Sequence, residues 1–107
     1  MPISVDELLR ARSELRRKHV RPQVDRMLAE MRRRGVVCEV IGSYARHSSI
    51  FDDGSDLDVL VESHPGLSEA DVWGIAWDAL DDVDVDLVFA SILASEKVAL
   101  MKEFANG

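Results

Sequence analysis

The sequence predicts one small domain of mixed helix and strand, α/β or α+β, in the order ααβ(short α)βαβα. Three observations predict it. A chain of 107 residues is the right size for one core. Three short β-branched runs, "VVCEVIG", "LDVLVE" and "VDVDLVF", are separated by breakers. Around them lie segments with helical apolar spacing. Residues 1–107 form one unit: an N-terminal helical segment over 1–35 and a core over 36–107.

"SVDE" at Ser4–Glu7 has the form of a capping box and opens the first helix. Val5, Leu8, Leu9 and Leu15 supply its apolar side. Pro22 lacks an N–H and clashes with the preceding turn, so it predicts either two helices, about 4–20 and 22–34, or one kinked helix. Val24, Met27, Leu28 and Met31 keep helical spacing, and Gly35 suits the C-terminal cap. A strand follows from Val36. Its Cys38, the one cysteine of the chain, reads as a small buried residue. Gly42-Ser43 begins a short helix, and a second strand runs from Leu57. "HPG" at 64–66 breaks the chain, and "SEAD" at Ser68 opens a helix to about Leu80. Trp73 and Trp77 share a face of that helix and read as core. The third strand starts at Val83, and "SILASEKVALMKEF" forms the final helix.

Charge divides the chain. Residues 1–35 hold ten Arg/Lys against five Asp/Glu, a balance of +5, whereas 36–107 hold three against fifteen, a balance of −12. The basic front reads first as a solvated helix face, then as a docking surface for an acidic protein, and last as a nucleic-acid surface. The acidic body argues against bulk nucleic acid as a partner. No apolar run approaches the roughly 20 residues that cross a bilayer, and "MPISVDELLRARSELRR" lacks the apolar stretch of a signal peptide. A cytoplasmic location, with no membrane partner, is the expectation.

The carboxylates carry the chemistry. Side chains alternate along a strand, so Asp56 and Asp58 share one face while Leu57, Val59 and Val61 face the core. Asp82, Asp84 and Asp86 share a face of the third strand; a solvated acidic edge is the ordinary reading for Asp82 and Asp84. If the two strands are neighbours, carboxylates from both converge. Close carboxylates repel until a proton or a cation intervenes. Hard divalent ions such as Mg²⁺ take oxygen ligands and complete their shell with water and phosphate. Gly42 admits close backbone approach, and Ser43 offers a hydroxyl beside free N–H groups. Competing motifs fail. There is no P-loop and no dinucleotide fingerprint, "DDGSDLD" is not an EF-hand loop, and His19, His47 and His64 lack zinc-ligand spacing.

Gly42-Ser43-Tyr44-Ala45-Arg46, then Ser55-Asp56-Leu57-Asp58, then Val85-Asp86-Leu87-Val88 together resemble the DNA polymerase β-like nucleotidyltransferase superfamily. More narrowly, the chain resembles the minimal nucleotidyltransferases that are antitoxins to HEPN-domain toxins. The resemblance covers about residues 36–105. It implies a nucleotidyltransferase fold, a small mixed sheet of about three to four strands flanked by helices, here with an N-terminal helical extension. It implies that Gly42 and Ser43 hold the triphosphate of ATP, and that Asp56 and Asp58 bind two Mg²⁺ ions. Asp86 is then the third metal-site carboxylate, the one that activates the acceptor hydroxyl. Arg46 reads equally as a phosphate contact or as the partner of a nearby acid, and Tyr44 as core or site wall. The implied reaction moves AMP from ATP to a tyrosine of a partner HEPN toxin and silences it. Two other readings stand beside it. One is a non-catalytic module that neutralises its partner by contact. The other is a nucleotidyltransferase for a small molecule or an RNA end.

Overall fold

The computed structural model describes residues 3–46, 49–90 and 99–103. Six elements run in order: α1 (Val5–Arg33), β1 (Val37–Ile41), α2 (Gly42–Ala45), β2 (Leu57–Ser63), α3 (Glu69–Ala79) and β3 (Val85–Phe89). Residues 99–103 are also helical. The rest of the expected final helix, 91–98 and 104, lies outside the described residues.

A single helix of 29 residues runs through Pro22. Its start is fixed by Ser4, whose hydroxyl accepts the Glu7 N–H at 3.1 Å. Its end is a Schellman motif. Gly35 adopts a left-handed φ of 78°, its N–H bonds Arg32 O at 3.1 Å, and the Val36 N–H bonds Met31 O at 2.8 Å. Val36 therefore closes the helix, and the strand begins one residue later than the β-branched run suggests. At 1.5 Å per residue α1 is about 44 Å long, in a molecule 56 Å along its longest axis.

The sheet order is β1-β2-β3. β1 and β2 are antiparallel, and β2 and β3 are parallel, with α3 as the connection. The sheet is thus mixed, as expected. Leu57, Val59 and Val61 of β2, with Leu87 and Phe89 of β3, form one face. Val20, Val24, Met27 and Met31 of α1, and Val72, Ile75 and Ala76 of α3, pack against it in one buried cluster. The other face carries Ile41, Leu60 and Val88, over which Met101 packs. Lys102 pairs with Glu62 of β2 and ties the 99–103 stretch to that face.

Three expectations need correction. Val5, Leu8, Leu9 and Leu15 do not face the core: they are exposed, and the buried residues of this half of α1 are Ser13, Arg17 and Val20. The helix overshoots the sheet, so its first turns have no apolar surface to meet. Trp77 is exposed. It leans on Trp73 at a centroid distance of 5.7 Å, and Trp73 alone of the pair packs on the core. The third strand starts at Val85, because α1 captures the residues before it. Gln23 Oε1 accepts the Asp81 N–H at 2.8 Å, and Gln23 Nε2 donates to Asp82 Oδ1 at 2.7 Å. His19 Nε2 lies 2.6 Å from Asp82 Oδ2. Asp82 is an anchor for α1 and does not extend the row of strand carboxylates.

Candidate nucleotide and metal site

The alternation of β2 and β3 delivers the central pair. Asp58 and Asp86 are register partners on adjacent parallel strands, so their side chains stand side by side on the face away from α1. Ile41, the last residue of β1, pairs with Asp58 from the other side. The next residue, Gly42, turns the chain off the sheet with φ of 74°, a backbone state that disfavours any residue with a Cβ. A Cβ at Gly42 would also run into the Asp58 carboxylate. Gly42 is therefore required twice, once by its own backbone and once by its neighbour.

Gly42, Asp58 and Asp86 form the polar wall of a pocket of about 520 Å³, and Ile41, Val88, Leu100 and Met101 form its apolar wall. Partial burial raises the Asp58 carboxyl above its ordinary value, and the charges of Asp86 and then Asp56 raise it further. Asp56 is exposed and sits just before β2, so it reaches Asp58 by its field and does not line the pocket.

Among the described residues, no three His, Cys, Asp or Glu side chains are grouped to hold a metal by themselves. The donors at the pocket are carboxylate oxygens, with like charges raising Asp58. Such a set fits Mg²⁺, which commonly takes one or two carboxylates and fills its shell with water and phosphate. It does not fit an all-protein cage.

Ser43 and Arg46 are placed differently from Gly42. Their backbone carbonyls turn to Arg17 of α1. Arg17 Nη2 lies 2.7 Å from Ser43 O, 2.8 Å from Arg46 O and 2.7 Å from Ser49 O. Its Nε donates to Tyr44 O at 3.2 Å, and its Nη1 to Ser13 Oγ at 3.1 Å. Ser13 Oγ in turn accepts the Phe51 N–H at 2.7 Å. Tyr44 stands edge-on to Phe51 at 5.3 Å and packs against the core. Sequence reasoning missed Arg17, which is one of ten basic residues in the front. Its one local sign is position: it falls on the buried face of α1, four residues after Ser13 and three, six and seven before Val20, Gln23 and Val24, all of which bury.

His47 lies outside the described residues. His64 bonds Leu67 O at 2.7 Å and stands edge-on to Phe89, which is a turn-stabilising role. Cys38 is half-buried, and burial and Glu62 push its thiol up, so it is a poor nucleophile. No protein-family model, no curated protein and no solved structure matches the chain.

Proposed function

We propose that the chain is an Mg²⁺-dependent nucleotidyltransferase that moves AMP from ATP to a protein hydroxyl, a tyrosine of a partner HEPN toxin in the cytoplasm, and so neutralises it. The observation that carries the reading is the contact of Gly42 with Asp58, beside Asp86, in one pocket. The left-handed Gly42 brings the backbone after β1 against the Asp58 carboxylate, an approach that suits a phosphate loop beside a cation site.

Asp58 and Asp86, with Asp56 close enough to act on Asp58 by its charge, would hold Mg²⁺, which when bound offsets the charge of the triphosphate. Gly42 and Ser43 bind the β- and γ-phosphates through backbone and hydroxyl. The acceptor oxygen attacks the α-phosphorus, the bond from that phosphorus to the bridging oxygen breaks, and pyrophosphate leaves. Asp86 takes the hydroxyl proton, the task of a general base. Val88, Leu100 and Met101 supply an apolar flank to the pocket in which the reacting atoms meet.

The test is transfer of label from α-phosphate-labelled ATP to the protein encoded by the adjacent gene, read by gel and mass spectrometry. Wild type labels the partner, and the Asp56→Asn, Asp58→Asn double variant does not. Transfer retained by that variant would remove the assignment.

A second reading has its own support. Val5, Leu8 and Leu15 are more than half exposed on the projecting part of α1, which suits a module that neutralises by contact. Protection of the partner without ATP is its signature.

A further inference from the structure

We infer that Arg17, a residue far from the strand carboxylates in sequence and outside the pocket wall, is the positioning residue that sets the triphosphate loop. The inference rests on the nucleotidyltransferase reading for what the loop binds. The anchoring itself rests on geometry alone.

Arg17 is 2% exposed, and its guanidinium gathers the carbonyls of Ser43, Tyr44, Arg46 and Ser49. In a trans peptide the C=O and the following N–H point in opposite directions. Carbonyls drawn to Arg17 therefore turn the Tyr44 and Ala45 N–H groups away from it. Those groups belong to the stretch that starts at Gly42, whose Cα faces Asp58. Rotation of these peptide planes would aim carbonyl oxygens, not N–H groups, at a phosphate. One side chain thus fixes the orientation of the peptide planes that follow Gly42.

Charge adds to orientation. Guanidinium stays protonated in proteins. Its carbonyl and hydroxyl partners satisfy donors without cancelling the charge, while Glu14, 56% exposed and 2.8 Å from Nη1, offsets part of it. What remains of the positive charge lies behind the loop and favours an anion in front. A lysine cannot reproduce this: an ammonium has three donors on a point charge, whereas Arg17 spreads a planar fork over five oxygens besides Glu14. A purely structural Arg17 would change melting temperature but not nucleotide affinity, so affinity is the deciding readout.

The experiment compares wild type, Arg17→Lys and Ser13→Ala, each shown folded by circular dichroism at the assay temperature. Mg²⁺–ATP affinity is measured by calorimetry, and KM and kcat by AMP transfer. For Arg17→Lys we expect the Kd and KM for ATP to rise about tenfold or more with kcat within about threefold, the pattern of lost ground-state binding. Ser13→Ala, which removes one of two Nη1 acceptors and the acceptor of the Phe51 N–H, is expected to raise both by about two- to fivefold. A folded Arg17→Lys with wild-type Kd and KM overturns the role. If Arg17→Lys does not fold, Ser13→Ala decides by the same readout, and wild-type values there overturn it. Wild type that fails to bind Mg²⁺–ATP removes the nucleotidyltransferase reading instead, whatever the variants do.

Discussion

Asp58 and Asp86 stand in register on neighbouring parallel strands, on the sheet face opposite α1. Two carboxylates so placed oppose each other's ionisation, and Asp58, half-buried, is the one whose carboxyl is raised.

Replacing Asp58 therefore stabilises the fold. A carboxyl raised in the folded state binds its proton more tightly there than in the unfolded chain. Stability is highest when Asp58 is protonated and falls as pH rises from its ordinary value through its raised one. Asp58→Asn removes that loss. Its melting temperature should exceed that of wild type at pH 7 by the equivalent of a few tenths of a kcal/mol, the scale of cross-strand pairs, while transfer disappears. Melts of both proteins from pH 4 to 8 check this; an Asn variant less stable than wild type at pH 7 contradicts it.

Magnesium should reverse the same repulsion. A cation that binds only the folded state stabilises it by about 1.4 kcal/mol at ten times its Kd. The effect should be present at pH 8, weaken at lower pH as Asp58 takes up its proton, and vanish in Asp58→Asn. Thermal melts with and without millimolar Mg²⁺, at pH 8 and below, measure it. An equal shift in wild type and variant would place the ion elsewhere.

Gly42→Ala meets two obstacles, and they can be separated. The left-handed backbone costs about 1–2 kcal/mol for a residue with a Cβ, and the contact with Asp58 adds to it. Gly42→Ala in an Asp58→Ala background should keep the first cost and lose the second. A double-mutant cycle in urea then gives a coupling of about 0.5 kcal/mol or more, the scale of residues in contact. Additive effects would mean that the two side chains do not meet.

Asp82 predicts an acid transition. Hydrogen bonds from Gln23 and His19, with the charge of Arg16 adding to them, lower its carboxyl from 3.8 to about 2. The folded state holds this proton less tightly than the unfolded chain, so the stabilisation is full above about pH 4 and fades as pH falls toward 2. Asp82→Asn should flatten stability across that window and lower it at neutral pH. Circular-dichroism melts between pH 2 and 6 provide the comparison; identical acid profiles would mean that Asp82 does not anchor α1.

The local features were legible and the distant ones were not. Ser4 and Ser68 marked helix starts because capping is a contact of three residues, and Ser68 with Asp71 forms the full box. Alternation placed Asp58 and Asp86 on faces that could meet, and the sheet brings them together. Arg17 escaped notice because its carbonyl partners lie 26–32 positions away; nothing near it in the chain marks those carbonyls. Val5, Leu8 and Leu9 misled for a related reason. Their spacing reports a helix with an apolar side, but whether that side is covered depends on how far the sheet extends beneath it. Asp82 kept strand alternation with Asp84 and Asp86, and no local pattern showed that Gln23 would claim it.

The long first helix has a consequence for how the molecule comes apart. At Arg17 it grips the segment after β1, and at Gln23 and His19 it grips the turn before β3. These two grips lie within two turns of each other yet join parts of the chain that are far apart. Loosening that middle stretch would release both edges of the sheet in one event. Amides of α1 near Val20, of residues 43–46 and 49–51 and of β3 should then exchange with solvent through a common opening, which takes the candidate site with it.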